Sequence, residues 1–171
     1  FNAQLLAEET PADDEPVLTS GKSYSNVFHA NGGNAAFSVM ANTLRGVYGT
    51  DVLLATANSF TGSVLKADYT KKMADSMIMP NSLMSRQRTM TGAELKEVVR
   101  AVVEGCEGGF VPFNRGSLPI ISGIAVEVKE ASGSYTLTGI TRNGQPLRDD
   151  DTVTVTCLAA EKQMEAMLSS E

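Results

Sequence analysis

The chain changes its hydrophobic rhythm about halfway along. Ala36, Val39, Met40, Thr43 and Leu44 recur at helical spacing, with Asn34 placed as a cap and Gly46 and Gly49 bracketing the end. Asp51 to Ala55 (DVLLA) then reads as a short buried strand, and the polar stretch from Thr56 to Asp68 as the loop that follows it. Tyr69 to Met79 reads as a short helix that stops before Pro80. Thr91-Gly92-Ala93-Glu94 is a capping box, and behind it Leu95, Val98, Val99 and Val102 line one helical face. Beyond the Gly- and Pro-rich stretch Gly108–Gly123 the period becomes two. Ile124, Val126 and Val128 form one alternation, and Tyr135, Leu137 and Ile140 continue a second strand. Val153, Val155 and Cys157 alternate with threonines in a third. Asn143-Gly144 between them is a hairpin signal. Ala159 to Leu168 closes the chain as a helix. This predicts a mixed α/β (α+β) fold: one layered domain with a helix–strand first half and an antiparallel β-rich second half.

Residues 1–20 stand apart as an acidic arm, with Glu8, Glu9, Asp13, Asp14 and Glu15 crowded between prolines; the domain is expected over 21–171. Phe1 to Glu9 shows neither the positive leader nor the long apolar stretch of a signal peptide, and no apolar run approaches a membrane span. The net charge of −6, with no Lys/Arg cluster, excludes nucleic acid as a general partner.

Candidate chemistry is thin. His29 is the single imidazole, and its neighbours carry no acid that would complete a triad. Cys106 and Cys157 are 51 positions apart, neither a redox pair nor a zinc knuckle; the spacing leaves free thiols or a long-range disulfide open. Asp149, Asp150 and Asp151 offer oxygens to a cation but lack EF-hand spacing, so a solvated turn accounts for them. No phosphate-cradling glycine motif occurs. The loop after the DVLLA strand is the place to look, because open α/β sheets bind ligands beyond the carboxyl ends of their strands.

Several landmarks nevertheless fall in a definite order: Gly33-Asn34 before a helix, then Gly49 to Leu54. Asp68-Tyr69-Thr70, Pro80, Thr91-Gly92-Ala93-Glu94-Leu95, Ile121-Ser122-Gly123, Arg142 to Leu147 and Asp149 to Thr156 follow. Over roughly residues 20–160 this resembles the C-terminal domain of the bacterial 5′-nucleotidase family, which includes 2′,3′-cyclic nucleotide phosphodiesterases and UDP-sugar hydrolases. The resemblance implies a non-catalytic domain that grips a nucleotide by stacking its base. Catalysis, with two divalent metal ions, would belong to an N-terminal metallophosphoesterase domain of the same polypeptide. No cofactor is expected within this chain. The candidate site residues are Asn34, Asn58 and Asn81 at positions that match the family's motifs, with Phe60, Phe110 or Phe113 as substitute rings unless they serve in packing. The resemblance also implies an extracytoplasmic location, as for the family generally.

The family pattern is broken at the ligand-binding motifs. Thr61 stands where the family has an arginine, Pro80-Asn81-Ser82-Leu83 lacks one stacking ring, and Cys157 to Glu161 lacks the other ring and its glycine turn. These departures favour, as the alternative, a degenerate member that serves as a structural or interaction module.

Overall fold

The computed structural model describes residues 14, 16–27, 33–78, 84–104, 119–132 and 134–159. Its centre is a four-stranded sheet in which β2 (Val52–Thr56) and β9 (Thr152–Ala159) run parallel. β4 (Met84–Thr91) flanks β9 and β5 (Pro119–Ser122) flanks β2, both antiparallel, giving the order β4-β9-β2-β5.

β2 explains why DVLLA is an unbroken apolar run. Val52 and Leu54 face one core, Leu53 and Ala55 the other, and all five residues of the strand are buried. A strand covered on both faces has no polar positions to alternate with. On one face lies α1 (Ala35–Tyr48), which buries Ala36, Phe37, Met40 and Ala41. Gly49 ends α1 in the left-handed conformation (φ 64°), so Gly46 belongs to the helix interior instead of marking its end. Beside α1, β1 (Pro16–Thr19) pairs antiparallel with β3 (Asp68–Thr70). Residues 16–19, expected in the arm, are therefore part of the fold. β3 leads into α2 (Lys71–Ser76), a shorter helix than 69–79 because Asp68 to Thr70 is taken by the ribbon.

On the other face α3 (Gly92–Glu104) buries Leu95, Val98, Val99 and Val103. Its capping box is formed: the Thr91 N–H donates to Glu94 Oε2 at 2.7 Å, and the Glu94 N–H donates to Thr91 Oγ1 at 3.2 Å. The Thr91 N–H and hydroxyl, both donating to Glu94 Oε2, hold the Glu94 carboxyl below its ordinary range. The same core takes in Ile140 and Leu147 from a second sheet, β6 (Ala125–Ala131), β7 (Ser134–Arg142) and β8 (Gln145–Pro146). Thr138 is the extra residue of a bulge between β6 and β7, which is why apolar positions step from Tyr135 and Leu137 to Ile140. Asn143 (φ 52°) and Gly144 (φ 76°) make the tight turn into β8.

The third strand of the β-rich half departs from expectation. β9 does not join the antiparallel hairpin; it returns to the centre of the first sheet beside β2. Thr152 and Thr154 are exposed, but Thr156 and Leu158 are as buried as Val155 and Cys157, so from Val155 onward the strand is covered on both faces. The helix expected over 159–168 lies mainly beyond the described residues. Among the described residues no helix is long and apolar enough to cross a membrane.

Candidate functional site

The parallel β2/β9 pair gives the sheet an amino edge and a carboxyl edge, and the two are built differently. At the carboxyl edge β2 ends in a 3-10 turn, Ala57–Ser59. The Ser59 hydroxyl donates to the Leu158 carbonyl at 3.0 Å and accepts from the Thr56 N–H at 3.4 Å, stapling the turn to β9. Nothing in the spacing of the sequence singled Ser59 out. Asn58 sits between these anchors and is exposed.

Phe60 follows, only 4% exposed, its ring 5.6 Å from that of Phe37 at 38°. Asn34, 2% exposed, reaches the same core from the start of α1. Its Oδ1 accepts the Phe37 N–H at 3.0 Å and its Nδ2 donates to the Asn26 carbonyl at 2.8 Å. Asn34 and Phe60 are thus brought together through Phe37, both of them engaged in packing and capping. Thr61 is exposed and its N–H donates to the Met77 carbonyl at 2.9 Å. Asn81 and Phe113 lie outside the described residues, as do His29 and Cys106. Beside Asn34 a cavity of about 230 Å³ opens, lined by Gly33, Ser38, Pro119 and Ile120 among others. A larger apolar groove of about 620 Å³ runs between α1 and the β1–β3 ribbon, past Leu18, Val47 and Ile78.

The amino edge is closed by a polar latch. Asp51 Oδ2 accepts from the Thr154 N–H at 2.8 Å and its hydroxyl at 2.9 Å, while Oδ1 takes the Arg142 guanidinium. Burial alone would raise the Asp51 pKa. The Thr154 hydrogen bonds, with Arg142 and Arg45 nearby, outweigh it and hold the carboxyl below its ordinary value. Arg45 Nε donates to Ser122 Oγ at 3.0 Å, and Ser122 Oγ donates to Asn42 Oδ1 at 2.5 Å. Gly123 (φ 96°) passes so close that a Cβ there would strike the Asp51 carbonyl oxygen. Gly92 is similarly pressed against the Arg148 carbonyl.

The acidic run belongs to this same edge. Asp149 pairs with Lys96 at 2.6 Å, and Asp151 accepts from Arg148 Nε at 3.0 Å. Asp150 Oδ1 lies 3.6 Å from Arg148 Nε. These carboxylates answer cations of the chain itself, and among the described residues no three His, Cys, Asp or Glu side chains converge as metal ligands. Cys157 is buried and its thiol is pushed up to about 11 by desolvation, so it stays neutral and inert.

No protein-family profile and no curated protein matches the chain by sequence. Solved structures do match its fold. The NAD nucleotidase of Haemophilus influenzae aligns with a TM-score of 0.64 at 19% identity, over 92% of this chain and 30% of its own. A 5′-nucleotidase precursor from Thermus thermophilus aligns with a TM-score of 0.64 at 12% identity, over 92% and 32%. The sulfate thiohydrolase SoxB of the same organism gives 0.63 at 12% identity, over 95% and 30%. The chain therefore has the fold that these 5′-nucleotidase-type structures share over about a third of their length.

Proposed function

We propose that this chain is the non-catalytic substrate-recognition domain of a multidomain 5′-nucleotidase-like phosphoester hydrolase that takes part in nucleotide catabolism. One observation carries the reading: nearly the whole chain matches a fold segment that makes up only about 30% of enzymes such as the NAD nucleotidase. The remainder of such a protein would be an N-terminal metallophosphoesterase domain in cis. That domain would hold the two divalent ions that activate water and polarise the phosphate. The described residues of this chain do not fit that role, since they bring together no group of three metal-ligand side chains. The parent protein is accordingly assigned an extracytoplasmic location, the family's usual one.

Within the chain the ligand belongs at the carboxyl edge of β2 and β9, where open α/β sheets take ligands. Asn58 is the exposed polar group there; Asn81 and Phe113 are assigned to the same site. Phe60 has its ring in the core, and Thr61 brings no charge. Each missing stacked ring weakens nucleotide binding by about 1–3 kcal/mol. Affinity for an isolated nucleotide is therefore expected to be roughly millimolar, near −4 kcal/mol. Titrating the folded chain with adenosine, AMP and UDP-glucose by NMR tests this. Shifts centred on Asn58, Asn81 and Phe113 and reaching Asn34 are expected.

A second reading is favoured by the engagement of Asn34 and Phe60 in capping and packing: a degenerate domain that serves as a structural or interaction module. No shift with any of the three ligands at saturating concentration would select it.

A further inference from the structure

β4 is the outermost strand of the four-stranded sheet, and all eight of its residues pair with β9 without a bulge. Its other side meets no strand among the described residues. Native edge strands are usually short, bulged, broken by proline, covered or charged, because unpaired backbone groups template further pairing. Among the described residues β4 shows only the last of these devices, which repels a like-charged edge but not an acidic one, and Ser85 to Thr89 are all exposed. What it carries is charge.

Arg86 and Arg88 stand two residues apart and so project from one face of the strand. Arg88 comes within 3.7 Å of Glu94, whose carboxylate is already bound by the Thr91 N–H and hydroxyl. Arg86 has no hydrogen bond or ion pair among the described residues. Two weakly engaged guanidinium groups on an open backbone edge stand out in a chain of net charge −6.

We propose that the free edge of β4 docks an acidic, extended segment of a partner protein, which adds to the sheet as an antiparallel strand. The main-chain ladder supplies the affinity. The two arginines select a partner with carboxylates at alternate positions and fix its register. A second copy of this chain is the wrong partner. An antiparallel β4–β4 ladder centred on Gln87 sets Arg86 opposite Arg88 twice, and like charges directly opposed are destabilising. Ser85, Gln87 and Thr89 on the opposite face suit small polar neighbours, which an alternating Glu/Thr segment provides. The proposal does not depend on whether the carboxyl edge binds a nucleotide.

The test is an NMR titration of the ¹⁵N-labelled full chain with an alternating Thr/Glu nonapeptide blocked at both ends. Two controls are the same peptide with Lys for every Glu, and the acidic peptide with a central Pro. Shifts and slowed amide exchange confined to residues 84–91 are expected. The R86E/R88E variant, altered only at exposed side chains, should bind the acidic peptide at least tenfold more weakly and should bind the Lys peptide instead. Any of three results overturns the proposal. One is the absence of β4 shifts at millimolar acidic peptide. Another is equal binding of the Pro-containing peptide, which would mean charge attraction without a ladder. The third is a concentration-dependent dimer formed through residues 84–91.

Discussion

The two edges of the central sheet divide the chain's recognisable motifs between them. Gly49 to Asp51, Thr91 to Glu94, Ile121 to Gly123, Arg142 to Gly144 and Asp149 to Asp151 all gather at the amino edge or in the turns beside it. There each engages another: Asp51 with Arg142 and Thr154, Ser122 with Arg45, Gly92 with the Asp151 carbonyl at 2.7 Å. Of the stretches that depart from the family pattern, Thr56 to Thr61 lies at the carboxyl edge and the stretch from Cys157 starts in β9 beside it, whereas Pro80 to Leu83 lies outside the described residues. Residues that interlock several elements have their identities set by folding. The resemblance therefore reports on the latch, and the latch reports on the fold. Neither fixes the ligand.

The largest expected effect breaks the division from the carboxyl side. If Phe60 is a core ring, Phe60→Ala costs about 3–5 kcal/mol of stability by denaturant melt. Phe60→Leu should then cost less than about 1.5 kcal/mol, because volume is largely kept. Neither variant should alter nucleotide shifts at Asn58. A stacking role would give the reverse: near-normal stability for Phe60→Ala, with nucleotide shifts abolished.

The amino edge gives the next effect. At Gly123 a side chain meets both a positive φ and the Asp51 carbonyl. Gly123→Ala should cost about 2–4 kcal/mol, from backbone strain and steric overlap together. Gly144 also has positive φ but has nothing within 4 Å of a Cβ. Gly144→Ala should therefore incur strain alone and cost about 1–2 kcal/mol. Equal losses at the two positions would mean that the contact with Asp51 contributes nothing.

Asp51 sharpens the same point through pH. Its folded-state carboxyl ionises more readily than in the unfolded chain, so it stabilises the fold above the unfolded value, and the benefit is lost as pH falls through the carboxylate range. Asp51→Asn keeps the shape but loses the charge partner of Arg142. A loss of about 1–2 kcal/mol at pH 7 is expected. The gap to the wild type should begin to shrink as pH falls below about 4, the ordinary aspartate value, and close only once the pH passes below the lowered value of Asp51 in the fold. A gap that stays constant from pH 7 to pH 3 would remove Asp51 as the charged centre of the latch.

Much of this architecture was legible from periodicity because the relevant residues see one or two well-defined environments. α1, β2 and α3 each bury a regular stripe or a complete run, β7 half-buries an alternating set that ends at the buried Ile140, and the sequence displays all of these. β4 was not legible, since Ser85-Arg86-Gln87-Arg88-Thr89 is exposed on both faces and offers no alternation. β1 and β3 are strands of four and three residues, too short to show a period. The place of β9 was misread for a different reason. Threonines at alternate positions imitate a half-exposed strand, yet Thr156 is buried and bonded at 3.1 Å to Thr50 Oγ1. At the candidate site the sequence already placed Asn34 as the cap of α1, which its bond to the Phe37 N–H bears out, while the packing of Phe60 on Phe37 needed the fold to be seen.

Asn34 offers the smallest and most discriminating comparison, because the two edges each start a helix with a side-chain cap. Thr91 caps α3 at an exposed box, where water stands ready to replace it. Asn34 caps α1 from a buried position and also ties down Asn26. Thr91→Ala should therefore cost about 0.5–1 kcal/mol and Asn34→Ala about 1–2 kcal/mol. Asn34→Ser separates the two bonds of the buried cap. A serine hydroxyl still accepts the Phe37 N–H, but no amide remains to reach the Asn26 carbonyl, so it should recover part of the Asn34→Ala loss. Full recovery would show that the tie to Asn26 is dispensable. No recovery would show that the tie to Asn26, and not the cap on the Phe37 N–H, carries the whole contribution of Asn34.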